Sequence, residues 1–257
     1  MANTVERREQ IVEQILEQGV VRVEDLSRQF SVSSVTIRND LSYLEKRGCL
    51  VRSYGGAMIN HHFAFDRPLR DKGRLNRDQK MMIAACAASL IEDGDSLIID
   101  SGTTTSHMTH YLADKRELVV MTNSLGVAYE LAGLDSLEVM VAGGSLRHNS
   151  YSLYGPAAEQ NLRNYRFDKL FLGVDGFDLK AGITTPHQGE AGLNRVMCEV
   201  ASEVIAVTDS SKFGRKSFCM IREAGQIDKL ITDNQIPQLY LQALTQMGVE
   251  VLIADQD

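Results

Sequence analysis

With 257 residues, 44% of them apolar, the chain is long enough for one large or two unequal domains and for a sizeable buried core. No apolar run approaches the roughly 20 residues that cross a bilayer, and Met1 to Thr4 lead straight into charged residues, so neither a membrane span nor a signal peptide is expected. Four scattered cysteines (Cys49, Cys86, Cys198, Cys219) without a CxxC argue against a disulfide framework or a zinc site, and fit reduced thiols in a cytoplasm.

Residues 5–18 read as an amphipathic helix with Ile11, Val12, Ile15 and Leu16 inward, ended by Gly19. Val21 to Val23 form a brief extended piece. A short helix follows from Glu24 to Phe30, burying Leu26 and Phe30, and Ser31-Val32-Ser33 turns into a third helix. Ser33 or Ser34 caps that helix, Ile37, Leu41 and Leu44 form its apolar stripe, and Gly48 stops it. Its other face presents Ser34, Thr36, Arg38 and Asn39. Taken alone this reads first as an ordinary polar-faced surface helix, but two short helices joined by a tight turn have helix-turn-helix geometry. Such residues read base edges in a major groove, with Arg to guanine and Asn to adenine as the leading pairs. Residues 49–59 give two short extended runs meeting near Gly55-Gly56, the wing of a winged helix, where Arg52 and Tyr54 reach the DNA backbone or minor groove.

The net charge of −7 argues against nucleic acid only when it is averaged over the chain. Residues 1–60 carry eight Lys/Arg and eight Asp/Glu, so the whole deficit lies beyond them. Arg38, Lys46, Arg47 and Arg52 outweigh Asp40 and Glu45, which makes that end the phosphate-facing one.

Residues 60–76 lack a period, hold Pro68, and read as a linker; His61-His62 has no ligand partner at metal spacing and reads as solvated. From Arg77 apolar strands alternate with helices, starting with a helix over 77–92, a strand at Leu97–Asp100 and a helix from Thr105 to about Ala113, and ending with Val249–Ile253. This implies an α/β domain over 77–257 with a mostly parallel sheet covered on both faces, and a ligand site beyond the carboxyl ends of its strands. Three polar clusters fall there. Asp100-Ser101-Gly102-Thr103-Thr104-Thr105 offers backbone N–H groups and hydroxyls to an anion, or simply caps a helix. Asp175 and Asp178 suit sugar hydroxyls, or form an Asx-turn. Lys212, in Asp209-Ser210-Ser211-Lys212, suits a phosphate, or belongs to a solvated charge cluster. His107 and His110 lack a third ligand and are read as a solvated or pocket-edge pair.

The pattern Arg7-x3-Ile11-x3-Ile15, then Ser33-x2-Thr36-Ile37-Arg38-Asn39-Asp40-Leu41, then Arg52-x-Tyr54-Gly55-Gly56-Ala57 resembles the DeoR family of bacterial sugar-operon repressors. The runs around Arg147 to Gly155, Tyr165 to Asp175 and Glu190 to Ala201 look like its N-acetylgalactosamine and galactosamine branch, while Asp209 to Ser217 is equally similar to its glucitol branch. The resemblance implies a winged helix-turn-helix over 1–59, with Ser33, Ser34, Thr36, Arg38, Asn39, Arg52, Tyr54, Gly55 and Gly56 at the DNA. It also implies an effector domain related to the sugar-phosphate isomerase fold, notably ribose-5-phosphate isomerase. In that fold a Gly/Ser/Thr loop and a D-x-S-K lysine hold the phosphate and a D-G-x-D aspartate pair faces the sugar. The implied effector residues are Asp100, Ser101, Gly102, Thr103, Thr104, Thr105, Asn123, Arg147, Asp175, Asp178, His187 and Lys212. The isomerase has a catalytic lysine where this chain has His187 and a glutamate base where it has Val196, so chemistry is lost and binding kept; Glu190 nearby leaves residual activity open. The expectation is a cytoplasmic, non-enzymatic repressor without cofactor or metal. It is expected to be a homo-dimer or homo-tetramer whose partners are operator DNA and a phosphorylated sugar or amino-sugar inducer. An isomerase with an appended regulatory domain, and a winged helix that contacts only protein, are the alternatives.

Overall fold

The computed structural model describes residues 4–46, 50–58 and 68–255. The chain divides into two units, the first ending at Phe65 and the second beginning at Asp66. In the first unit the order is α1 (Thr4–Gln18), β1 (Val20–Arg22), α2 (Val23–Phe30), α3 (Ser34–Lys46), β2 (Val51–Ser53) and β3 (Gly56–Met58). The strands form an antiparallel sheet in the order β1-β3-β2. Ile11 and Ile15 of α1, Leu26 of α2, and Ile37, Leu41 and Leu44 of α3 meet Val21, Leu50 and Ala57 in one core. Each such side chain contributes about 1.5–3 kcal/mol on full burial. Phe30, expected inside, is only half-buried at its margin. α2 ends where Ser31 turns left-handed (φ +53), with Val32 N–H donating to the Ser27 carbonyl and Ser31 N–H to that of Arg28. This paired closure turns the chain sharply into α3. The stop expected at Gly48 lies outside the described residues.

The second unit runs α4 (Leu69–Arg74), α5 (Arg77–Ser89), β4 (Ser96–Ile99), α6 (Thr103–Ser106), β5 (Leu118–Thr122), α7 (Leu125–Leu131), β6 (Leu137–Val141), β7 (Ser145–Arg147), β8 (Ser152–Tyr154) and α8 (Pro156–Leu162). It continues with β9 (Phe167–Gly173), β10 (Gly176–Asp178), β11 (Gly182–Thr185), α9 (Gln188–Val200), β12 (Ala201–Val207), β13 (Cys219–Arg222), β14 (Lys229–Asp233), α10 (Gln238–Gln246) and β15 (Glu250–Ala254). Seven strands pair in parallel in the order β6-β5-β4-β9-β12-β14-β15. Alternation along each strand splits the core in two. Leu97, Ile99, Val120, Phe171 and Ile205 face Ile83, Ala84 and Ala87 of α5, while Ile98, Leu170, Leu172 and Ala206 face Leu162, Val196, Met197 and Leu244.

The chain moves from β4 to β5 and β6 on one side, then returns to place β9 on the other side of β4. That reversal opens a crevice at the carboxyl ends of β4 and β9. A small antiparallel sheet, β10-β11-β13, and the ribbon β7-β8 stand beside the main sheet.

Two expectations change. Residues 69–74 of the expected linker form α4 and belong to the second unit, while 60–67, including His61-His62, lie outside the described residues. The helix expected from Thr105 to Ala113 is α-helical only over α6 and continues as a 3-10 turn over His107–Tyr111. Thr105, Ser106 and Thr109 each turn a hydroxyl onto a carbonyl three residues back, a local bond that competes with a regular helix.

Candidate functional site

In the first unit, Ser33 Oγ accepts from Thr36 N–H at 3.1 Å and meets Thr36 Oγ1 at 2.9 Å, so both hydroxyls serve the cap of α3. Arg38 and Asn39 are exposed and make no side-chain hydrogen bond among the described residues; Ser34 is half-buried beside them. One position further on, Asp40 points inward. Its two carboxylate oxygens accept from Arg7 Nε and Arg8 Nε, each at 2.7 Å, and the Arg8 guanidinium also lies 3.8 Å from the centre of the Tyr43 ring. α1 is thereby fastened to the back of α3 while the front stays free.

The wing is the β2–β3 hairpin, in which Ser53 pairs with Gly56 and Tyr54-Gly55 forms the turn. Gly55 takes φ +78, which a turn at this position asks of glycine, and Tyr54 is fully exposed above it. Arg52 is exposed, and its N–H donates to Glu45 Oε1 at 3.0 Å, tying the wing to α3. Gly56 is different from its neighbours. It is buried, and a Cβ there would lie 2.1 Å from the Val21 carbonyl oxygen, so the close β-pairing at this position requires glycine.

In the second unit a polar cleft sits at the β4–β9 reversal. Asp100 Oδ2 accepts from Gly173 N–H at 3.2 Å across it, and the backbones of Gly102 and Gly173 approach closely enough that a Cβ on either would crowd the other. Ser101, Gly102, Thr103 and Thr104 line one wall, Arg147 and Glu190 another, and Asp175 and Lys212 a third. Burial pushes Asp100 up to about 6, with Glu190 adding to the effect and N–H groups of Ser101 and Gly173 opposing it. Asp175 lies below the usual carboxylate range: burial raises it, but Lys72 and Lys212 together outweigh that. Burial lowers Lys212 despite Asp209 and Asp175, and its ammonium makes no hydrogen bond or ion pair among the described residues.

Glu190 is fully engaged. Oε1 accepts from Ser150 Oγ at 2.7 Å and Ser152 Oγ at 2.6 Å, and Oε2 accepts from Arg147 at 2.7 Å. Val196 is a buried core residue of α9.

Four of the expected effector residues stand outside the cleft lining. Asp178 accepts from Lys180 and Ala181 N–H groups at 2.9 and 2.8 Å, which is the Asx-turn alternative. His187 caps α9, its Nδ1 accepting from Glu190 N–H at 3.2 Å, and its ring meets Tyr154 edge-on in a separate shallow depression. Thr105 is buried and bonded to the Asp100 and Gly102 carbonyls, bracing the loop. Asn123, also buried, donates to Ser101 Oγ at 3.2 Å and sits behind it. Cleft residues that the sequence reading missed are Lys72, Lys80, Ser150 and Asn194. One signal for Lys80 was available: it stands on the inward stripe with Ile83, Ala84 and Ala87, where a lysine has no place without a polar partner.

These two units define a winged-helix protein with an α/β sensor domain. Residues 7–63 match the DeoR-like helix-turn-helix domain and residues 75–234 match the DeoR C terminal sensor domain. The chain belongs to the DeoR family. It is 45% identical, over all of its length and 96% of the other chain, to a protein of Escherichia coli O157:H7 described as a candidate aga operon transcriptional repressor. It is 35% identical to the transcriptional regulator GlpR of Haloferax volcanii, over 96% of both chains. To the glycerol-3-phosphate regulon repressor of Escherichia coli K12 it is 31% identical, over 96% of this chain and 97% of the other. Among solved structures, a D-ribose-5-phosphate isomerase in complex with phospho-erythronic acid aligns with 53% of this chain and 54% of its own, at 15% identity and a TM-score of 0.41, a likeness too slight to argue from.

Proposed function

We propose that this chain is a transcriptional repressor of a sugar or amino-sugar operon. Arg38 and Asn39 on α3 read base edges, Ser34 and the wing residues Arg52 and Tyr54 grip the backbone, and a phosphorylated sugar in the cleft relieves repression. The observation that carries the effector half is Lys212, whose ammonium lines the cleft without a bonded partner among the described residues, together with the hydroxyl-bearing loop Ser101–Thr104. A phosphate there gains charge-assisted bonds with that lysine and neutral bonds with the loop. Asp100 and Asp175 then face the remainder of the ligand, where sugar hydroxyls or an amine find acceptors; the relative described as an aga operon repressor supports the amino-sugar form.

No turnover is assigned. Glu190 would be the acting base, but Arg147, Ser150 and Ser152 hold both its oxygens. The protein works in the cytoplasm as a homo-dimer or homo-tetramer, because a two-fold repressor matches a palindromic operator. The inducer must bind the DNA-released state better than the DNA-bound one, since only differential affinity shifts the equilibrium.

The test is fluorescence anisotropy with the DNA upstream of the chain's own operon. Binding should fall steeply with salt, as phosphate contacts require, and should be released by a member of a panel of hexose and hexosamine phosphates. Salt-independent binding, or operator affinity unmoved by the whole panel, would overturn the reading.

A further inference from the structure

α4 is a six-residue helix with no buried side chain, and polar ties hold it and its flanks to the loops that form the cleft. Leu69 N–H donates to the Asn149 carbonyl at 2.8 Å, between β7 and β8. Lys72 Nζ donates to Asp175 Oδ1 at 2.5 Å, beyond β9. Lys80 of α5 donates to the Lys72 carbonyl at 2.5 Å, and Asn76 donates to Asp209 Oδ1 at 2.8 Å, beyond β12. A segment held by few apolar contacts opens at low free energy, so its position follows whichever polar partner binds best.

Lys72 lines the cleft beside Lys212, and the carboxylate it holds belongs to the same cleft. An anion entering near Lys212 meets a second ammonium one ion pair away. Taking Lys72 over leaves Asp175 with Thr185 Oγ1, at 3.0 Å, and with Lys212 close by. Only nine residues separate Pro68, at the head of α4, from Met58 at the end of the wing.

We propose that α4 is an effector-responsive strap, in which Lys72 exchanges Asp175 for an anionic ligand and the shift of α4 is the signal passed along the chain to the DNA-binding unit. This rests on the cleft being the effector site and adds the element that reports its occupancy. The exchange is one of ionic partners only, with no bond made or broken.

Two measurements on the full chain test it, with inorganic phosphate as the probe. In the ligand-free protein, amide hydrogen exchange over residues 69–76 should accelerate about tenfold or more in both Lys72→Met and Asp175→Asn, because each removes the same charge-assisted bond. Calorimetric titration should then separate the two. Lys72→Met binds phosphate about tenfold more weakly, whereas Asp175→Asn, which releases Lys72 and removes a repelling charge, binds it more tightly. Lys72→Gln repeats the first variant should Lys72→Met fold poorly. Lys216→Met, which removes a cation paired with Asp178 at 3.5 Å outside the cleft, should change neither readout.

Unaltered α4 exchange in the two strap variants would overturn the proposal, and so would phosphate affinities that move in the same direction. Absence of phosphate binding by the unmodified protein would instead count against the cleft as an anion site. The exchange measurement judges the strap separately.

Discussion

Two clusters of buried charge in this protein are built on opposite plans. Behind α3, Asp40 is held by Arg7 and Arg8, each through Nε at 2.7 Å, so both of its oxygens are taken. In the cleft of the second unit the charges are incompletely matched. Glu190 is neutralised by Arg147 and Asp175 is held by Lys72, but Lys212 has no bonded partner among the described residues, and burial raises Asp100 to about 6. A saturated cluster fixes geometry, because any movement strands a charge in a place where water cannot reach it. An unsaturated one keeps a standing electrostatic demand that a ligand of the right sign relieves. The first cluster is therefore a fastening and the second a receptor.

The contrast can be broken most directly at Asp40. Asp40→Ala strands two arginines and should destabilise the winged unit by about 3–5 kcal/mol, the usual cost of removing one partner of a buried pair. The check is the first unfolding transition of the full chain in urea. A loss near zero would mean that the cluster is ornamental.

Next in size is Lys212→Met. This should weaken sugar-phosphate binding by about 1.5–3 kcal/mol, the range for a bond to a charged group, and leave operator affinity intact. Calorimetry against the ligand found by anisotropy reads it, and a variant that still induces normally would place the phosphate elsewhere.

Arg38→Ala sharpens the comparison from the exposed face, since it disturbs no internal bond. It should cost about 1–3 kcal/mol at the operator and relax base preference at one position, with unfolding unchanged. Anisotropy on single-base operator variants would show this.

The smallest effect belongs to Asp100. Its folded value lies above its ordinary 3.8, so the stability it contributes is complete below pH about 4 and is lost as pH rises through about 6. The same titration removes a negative charge from the cleft as pH falls through about 6. Sulfate, which keeps its charge over this range, should accordingly bind better at pH 5 than at pH 7, by about 1 kcal/mol, the scale of one charge across a solvated gap. Asp100→Asn should flatten that dependence, and an unchanged slope would assign the titration to another group.

Much of the architecture was legible because local rules and long-range packing agree. Ile37, Leu41 and Leu44 declare the inner face of α3 by spacing alone, and Ser33 is the cap its hydroxyl suggests. The seven parallel strands stand out as apolar runs because both sheet faces are buried. The strands that escaped notice, β7, β10, β11 and β13, are three or four residues long, and β10 and β11 each begin with glycine. Runs that short carry too few residues to show a period of two. α4 escaped for a related reason, since a helix that buries nothing has no apolar stripe to find.

The amino-acid sequence by itself determined the two-part organisation, the outward face of α3, the parallel α/β class and the three polar clusters at strand ends, since each depends on residues close together in the chain. Which of those polar residues share a cavity was decided only by tertiary structure. Asp175 reaches the cleft while Asp178, three residues later, closes a turn, and His187 caps a helix while Glu190, one turn on, faces Arg147. Lys72 meets Asp175 across 103 positions because the strand order reverses at β4, which sets β9 beside it. Spacing in sequence reports which face of an element a side chain occupies, whereas the order and register of the strands determine what that face meets.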